Sequence, residues 1–361
     1  MSMPTTTARP AAPAVTAPAG TPAPSGPFGR SGARRSAWLL AAVVVLGLVS
    51  AASLTIGARG LSLGTVWQAL IAFDPANGDH AVVHARVPRT VLGILAGGAL
   101  GLSGAAMQGV ARNLLADPGI IGVNAGAALA VVTGIYVFGI SSLSGYIWFA
   151  FLGAAAAAAL VYAIASLGRD GATPVKLALA GAALSAGLYS LMNVILVSSQ
   201  DTLDRFRFWQ VGGVAGRDWS AIHTGLPFLL LGTAIVLGTA WHLNGLALGE
   251  DLASGLGQRV GLTRGIAALG VVLLCGSATA LAGPIGFVGL VVPHAVRFLT
   301  GPDYRWILPF SLVVAPMLLL AADIAGRVVL PPGEVPAGIM TALVGAPVFV
   351  WLIRRSKAAG L

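Results

Sequence analysis

Apolar residues run along this chain in long blocks, broken at uneven intervals by short clusters of arginine, aspartate, glycine and proline. A helix that crosses the hydrocarbon of a bilayer needs about 20 mainly apolar residues. On that ruler the blocks predict ten helices, near 37–56, 88–109, 119–138, 146–167, 177–198, 220–241, 265–283, 286–299, 306–325 and 337–353. The fold class is therefore an all-α polytopic membrane protein. AGPIGFVG at 282–289 packs a proline among glycines and predicts a helix break at the membrane surface. The run at 286–299 is short, which predicts burial among other helices instead of lipid contact. Gly-rich pieces recur without a fixed period, so there is no internal repeat.

Composition agrees with the pattern. Hydrophobic residues make up 57% of the chain and charged residues only 9%, with a mean hydropathy of +0.88, too little charge to cover a soluble surface. Residues 1–36 differ: Ala, Pro, Thr, Ser and Gly dominate, which predicts a disordered tail ahead of a membrane domain over 37–355. Arg34 and Arg35, the run Ala37–Val49 and the small residues Ser50–Ala52 have the layout of a secretory signal. The run continues to about Ile56 and more spans follow, so an uncleaved first span is the better reading. Cys275 lies alone in an apolar block, a small buried hydrophobe and no part of a disulfide or thiolate metal site.

Orientation follows from basic residues. With the N-terminus inside, 14 of the 21 Lys and Arg fall on the cytoplasmic side, which predicts both termini there. The other seven are Arg59, Arg86, Arg89, Arg205, Arg207, Arg217 and Arg327. Asp201, Asp204 and Asp218 offer local partners to Arg205, Arg207 and Arg217, whereas Arg86, Arg89 and Arg327 lack so simple an account. Many of the 49 glycines fall within spans, with Gly93, Gly97, Gly98, Gly101, Gly104 and Gly109 in the second, which predicts a central, closely packed helix.

Ionisable groups at mid-depth mark membrane enzymes and ion-coupled carriers, and here they are nearly absent. Asp323 is the deepest acid and sits four residues before Arg327, the spacing of a helical ion pair. His80, His84, His223, His242 and His294 are scattered, and none makes a metal-ligand pair with a carboxylate at helical spacing. No glycine-rich phosphate loop is present, so the chain does not itself hydrolyse nucleotide. Energy for uphill transport would have to enter through a partner. A point of entry exists: LNGLALGEDLASGLGQRV at 243–260 is polar and helix-prone between two apolar blocks, longer than a simple turn requires.

RVPRT at 86–90, Gln108, RNLLADPGIIGVNAGAA at 112–128, ALAGAALSAG at 178–187, FWQVGGVAGRDW at 208–219, LNGLALGEDLASGLG at 243–257, AGPIGFVGLVVPHAVR at 282–297, LLLAADIAGR at 318–327 and EVPAGIMTALVGAPVFVWLI at 334–353 resemble, in order, the FecCD family. These are permeases of bacterial ABC importers for iron-siderophores, haem and cobalamin. The resemblance implies ten spans, both termini inside, a multi-pass location in the bacterial cytoplasmic membrane, and a substrate path along the interface with a second permease subunit, identical or paralogous. It implies two ABC ATPase subunits and an extracytoplasmic substrate-binding protein as partners, membrane lipid around the bundle, and no cofactor, metal, nucleic acid or catalytic residue. Segment 244–261 resembles the family's paired coupling helices, in which Leu246, Ala247, Leu248 and Gly249 would form an apolar knob and Glu250 and Asp251 would fix its register on the ATPase. Arg86, Arg89 and Arg327 match arginines that receive acidic residues of the binding protein; internal pairing is the competing account, strongest for Arg327. Asn113, Leu115, Thr173, Pro174 and Val175 match the inner gate, although Leu114 stands where the family usually has proline and Pro174 where it often has a small polar residue. A ferric siderophore is the expected cargo, then haem or cobalamin. A secondary transporter or channel working without ATP is the reading from another class, and the coupling segment and missing mid-membrane acids argue against it.

Overall fold

Helix starts in this chain are written by short polar side chains that take up free backbone amides. Ser62 accepts from the amide of Thr65, Asn77 from Asp79, Thr173 from Lys176, Ser199 from Thr202, Asp218 from Ala221 and Asp303 from Arg305. The computed structural model describes residues 32–140, 143–167, 173–331 and 333–358. Within these the helices are α1 Gly32–Thr55, α2 Leu63–Ile71, α3 Gly78–Ala111, α4 Val123–Phe138, α5 Leu143–Ala165, α6 Pro174–Ser198, α7 Gln200–Gln210, α8 Trp219–Gly238, α9 Ala240–Ala247, α10 Glu250–Gly255, α11 Val260–Ala282, α12 Val288–Thr300, α13 Tyr304–Val329 and α14 Ala337–Ala358. A 3₁₀ turn, Pro118–Ile121, precedes α4.

Among the described residues seven helices are long and apolar enough to cross a membrane: α1, α3, α5, α6, α8, α11 and α13. The other three predicted spans correspond to shorter apolar helices, α4, α12 and α14. The predicted third span from 119 is split, because Gly122 turns left-handed (φ 78°) between the 3₁₀ turn and α4. The expected tail of 1–36 lies outside the described residues up to 31, and its last five residues belong to α1, which starts at Gly32. The break at 282–289 is present, with Gly283 and Phe287 at positive φ. Its first end is tied from the side: the Gly213 amide donates to Ala282 O at 2.6 Å, and the adjoining Gly212 O accepts from the Gly338 amide at 3.0 Å.

The core is built around α3, which runs 34 residues and about 50 Å at 1.5 Å per residue. Its glycines let neighbours approach to backbone contact. A Cβ on Gly97 would lie 2.6 Å from the Cα of Pro316 in α13, and a Cβ on Gly104 would run into the carbonyl of Gly289 in α12. Gly93 and Gly101 face Leu320 and Ala315 of α13. The spacing of four places Gly93, Gly97 and Gly101 on one face, so small residues set the α3/α13 interface. By contrast α1 lies at the periphery with few buried residues.

Candidate functional site: two polar ends of the bundle

Helix α13 joins two polar clusters, one at each of its ends, and these hold most of the residues singled out by sequence. At the start of α13, Asp303 and Asn244 bind each other: Asn244 Nδ2 donates to Asp303 Oδ1 at 2.7 Å, and the Tyr304 amide donates to Asn244 Oδ1 at 2.8 Å. This fixes α9, the first half of the coupling segment, on α13. Arg305 grips the same carboxylate at 2.8 Å and stacks over the Trp241 ring at 5.0 Å. Behind them Arg297 donates to the Tyr304 hydroxyl at 2.7 Å and, more loosely, to Gln108 of α3 at 3.4 Å. A continuous polar line therefore runs from α9 to the central helix.

The segment expected to couple is two short helices, α9 and α10, broken at Gly249, whose φ of 116° suits glycine alone. The knob differs from the one expected. Leu246 is turned into the core beside Leu243, because those two share the inward face of α9. Ala247 and Leu248 are exposed, and so are Leu252 and Leu256, which sequence reasoning passed over. Their only advance signal was the i, i+4 spacing of Leu248, Leu252 and Leu256. Asp251 is exposed, while Glu250 meets Arg264 of α11 at 2.6 Å and so holds α10 to the bundle. A cleft of about 840 Å³ opens between this segment and the α12–α13 turn, lined among others by Trp241, Leu248, Leu256, Gln258 and Pro302.

Asp303 lies outside the spanning helices, and its carboxyl is held below the usual carboxylate range. Burial pushes it upward, but hydrogen bonds from Arg305 and Asn244 to the charged form outweigh burial. The contact therefore contributes fully above the unfolded value near 3.9 and is lost only as pH falls through the lower folded value. We expect Asp303→Asn to lower stability by about 1–2 kcal/mol. The difference in melting temperature from wild type should be flat above about pH 5 and shrink below about pH 4. A difference that grows on acidification would contradict this sign.

The residues expected to form the inner gate lie at this same end but in separate segments. Asn113 Oδ1 accepts from the Leu115 amide at 2.9 Å in a tight turn after Arg112, which closes α3 in a left-handed conformation (φ 49°). Thr173 caps α6 and Pro174 opens it, with Val175 and Leu115 both exposed. Among the described residues no hydrogen bond or ion pair joins 113–115 to 173–175.

At the far end of α13 the three predicted docking arginines are brought together, with their charge turned inward. Arg86 donates to the carbonyls of Leu54, Thr55 and Arg59 at 2.7–3.1 Å. Arg327 is 1% exposed, pairs with Asp323 at 3.1 Å and donates to Ser53 O and Oγ of α1. The i, i+4 pair read from sequence is thus present. Arg89 forks onto Asp323 at 2.8 Å and reaches Glu334 at 2.7 Å, and of the three it sits nearest a rim. That rim is a cleft of about 240 Å³ with Tyr146, Arg205, Phe208, Arg217 and Glu334 in its wall.

Arg205 and Arg207 pair with Asp201 and Asp204 as expected. Arg217 does not: Asp218 is occupied in capping α8, and Arg217 has no ion pair among the described residues. Burial lowers its guanidinium to about 10, so it stays charged at neutral pH.

Comparison with known proteins agrees with this architecture. Residues 43–355 match the model of the FecCD transport family. The chain is 45% identical over 320 residues to the ferric enterobactin transport system permease protein FepD of Escherichia coli (strain K12), covering 88% of this chain and 95% of that protein. It is 41% identical over 320 residues to the iron(3+)-hydroxamate import system permease protein FhuB of Bacillus subtilis (strain 168), covering 88% and 83%. Among solved structures, one described as a metal-chelate type ABC transporter in an inward-facing conformation superposes with a TM-score of 0.78 at 29% identity, covering 89% of this chain and 99% of that one. With residues 43–355 matched to the family and relatives above 40% identical over most of their length, this multi-pass membrane chain belongs to the FecCD transport family.

Proposed function

We propose that this chain is one of two permease subunits of an ATP-driven importer for ferric siderophores, set in the bacterial cytoplasmic membrane with both termini in the cytoplasm. The observation that carries the reading is the coupling segment. Leu248, Leu252 and Leu256 stand 61%, 61% and 74% exposed on a short helix pair that Asn244, Asp303 and Arg264 hold in place. Exposed leucines on a braced polar segment suit a partner's cleft better than water. The cargo follows from the family and from relatives named for ferric enterobactin and iron(3+)-hydroxamate, both ferric chelates.

Leu252→Glu tests the class. Its acidic side chain would enter a packed interface at a cost of about 2 kcal/mol or more. We expect recovery of the ATPase with the tagged permease to fall, and uptake of radiolabelled ferric siderophore to fall with it. Full recovery and normal uptake would remove the coupling assignment.

At the opposite end we place the docking face of the binding protein. Arg89 at the rim, with its exposed partner Glu334, and the unpaired Arg217 supply the contact, while Arg86 and Arg327 brace it from beneath. Charge contacts between exposed groups are screened over about 10 Å at 0.1 M salt. Arg217→Glu should therefore weaken capture of the loaded binding protein by the reconstituted complex, and added salt should weaken wild-type capture in the same direction. Equal affinity of variant and wild type at low salt would end the docking role.

A further inference from the structure

On the flank of the bundle, at the coupling end, α1 leaves a groove against α12 and α13. It encloses about 230 Å³ and is almost wholly apolar, with Trp38, Ala41, Val45, Leu299, Phe310 and Met317 among its walls. The polar atom of Thr300, also in the lining, is spent on its own helix, donating to Val296 O at 3.1 Å. Arg35 closes the groove at one end. Its guanidinium lies over the Trp306 ring at 5.9 Å, and its Nε is shielded from solvent with no hydrogen-bond acceptor among the described residues. The nearest acid along α13, Asp303, is already held by Arg305 and Asn244. The first turn of α1 carries no acidic residue to answer Arg35.

The occupant of such a site needs an anion at one end and hydrocarbon behind it. From Arg35 to Val45 is ten residues of helix, about 15 Å, half of a hydrocarbon core of about 30 Å. The groove is therefore one leaflet deep. It opens along α1, whose apolar residues are mostly exposed on the bundle's periphery, the surface that meets lipid. Trp38 sits one turn in from the cation, the depth at which an amphipathic ring marks the interface. We propose that this groove holds an anionic phospholipid, its phosphate received at Arg35 and one acyl chain laid along α1 between α12 and α13. Basic pockets between spanning helices receive anionic headgroups in this way. The site also bears on coupling. Trp306, under the Arg35 guanidinium, is two residues from Tyr304, whose amide holds Asn244 of α9.

The test is lipid retention by the purified full-length chain, measured by mass spectrometry of extracted lipid after exchange into mixed micelles of phosphatidylglycerol and phosphatidylethanolamine. Wild type should retain phosphatidylglycerol in preference. Arg35→Gln should lower that retention roughly fivefold, the share of one basic residue at an anionic surface. Ala42→Phe leaves Arg35 in place but fills the groove, and should lower it as well. A thermal shift gives the second readout: added phosphatidylglycerol raises the melting temperature of wild type more than that of either variant, and millimolar inorganic phosphate alone does not reproduce the rise. The proposal is overturned if wild type retains both lipids equally, or if both variants retain phosphatidylglycerol like wild type. It is equally overturned if inorganic phosphate matches the lipid, or if retention appears only after removal of residues 1–31, which would make the tail the occupant.

Discussion

Gly104→Ala, a single added methyl, should cost the protein most of its folded yield. The Cβ would collide with the carbonyl and Cα of Gly289, both backbone atoms of α12, so no side chain can swing aside. Overpacking a core costs about 1–3 kcal/mol when side chains can adjust, and here a whole helix must shift from α3. The contrast is Gly47→Ala on peripheral α1, where nothing lies within 4 Å of the new methyl. Alanine is the better helix former by about 1 kcal/mol, so that variant should match or exceed wild type. Fluorescence-detected size exclusion of detergent extracts, with melting curves on the monodisperse fraction, separates the two. Wild-type behaviour of Gly104→Ala would mean that α3 and α12 are not in backbone contact.

Asp323→Ala should be the most damaging change at the arginine end, costing about 3–5 kcal/mol. Asp323 is 2% exposed and answers two arginines: Arg89 of α3, and Arg327 four residues on in α13. Its loss leaves Arg89 with Glu334 alone and Arg327 with no carboxylate, since the remaining contacts of Arg327, to Ser53 and to the backbone carbonyl at 323, carry no compensating charge. Glu334→Gln touches the same Arg89 but removes a carboxylate that is 38% exposed, and surface pairs of this kind contribute about 0–1 kcal/mol. Melting temperatures of both variants should therefore differ widely in one detergent; equal losses would show that burial does not decide the strength of this cluster.

The positions of the spans were legible because length and apolarity are local properties, and every predicted block coincides with an apolar helix. The pair Asp323 and Arg327 was equally local. What could not be read was the choice among partners. Arg89 finds Asp323 across 234 positions of sequence, and Arg217 misses the aspartate beside it because that side chain caps a helix. The two amphipathic helices α2 and α7 also escaped, being too short for the spanning ruler and mixed in polarity. On the coupling segment, sequence located the apolar residues but not their facing. A helix pair broken by a left-handed glycine has no single period, so Leu246 went inward while Leu252 and Leu256 were overlooked.

The tie at Gly212 has a mechanical meaning. Three chain segments distant in sequence meet there: 211–214 after α7, the end of α11 through Ala282, and the start of α14 through Gly338. Both ties run between backbone atoms, so the end of α7, the end of α11 and the head of α14 stay linked whatever side chains these positions carry.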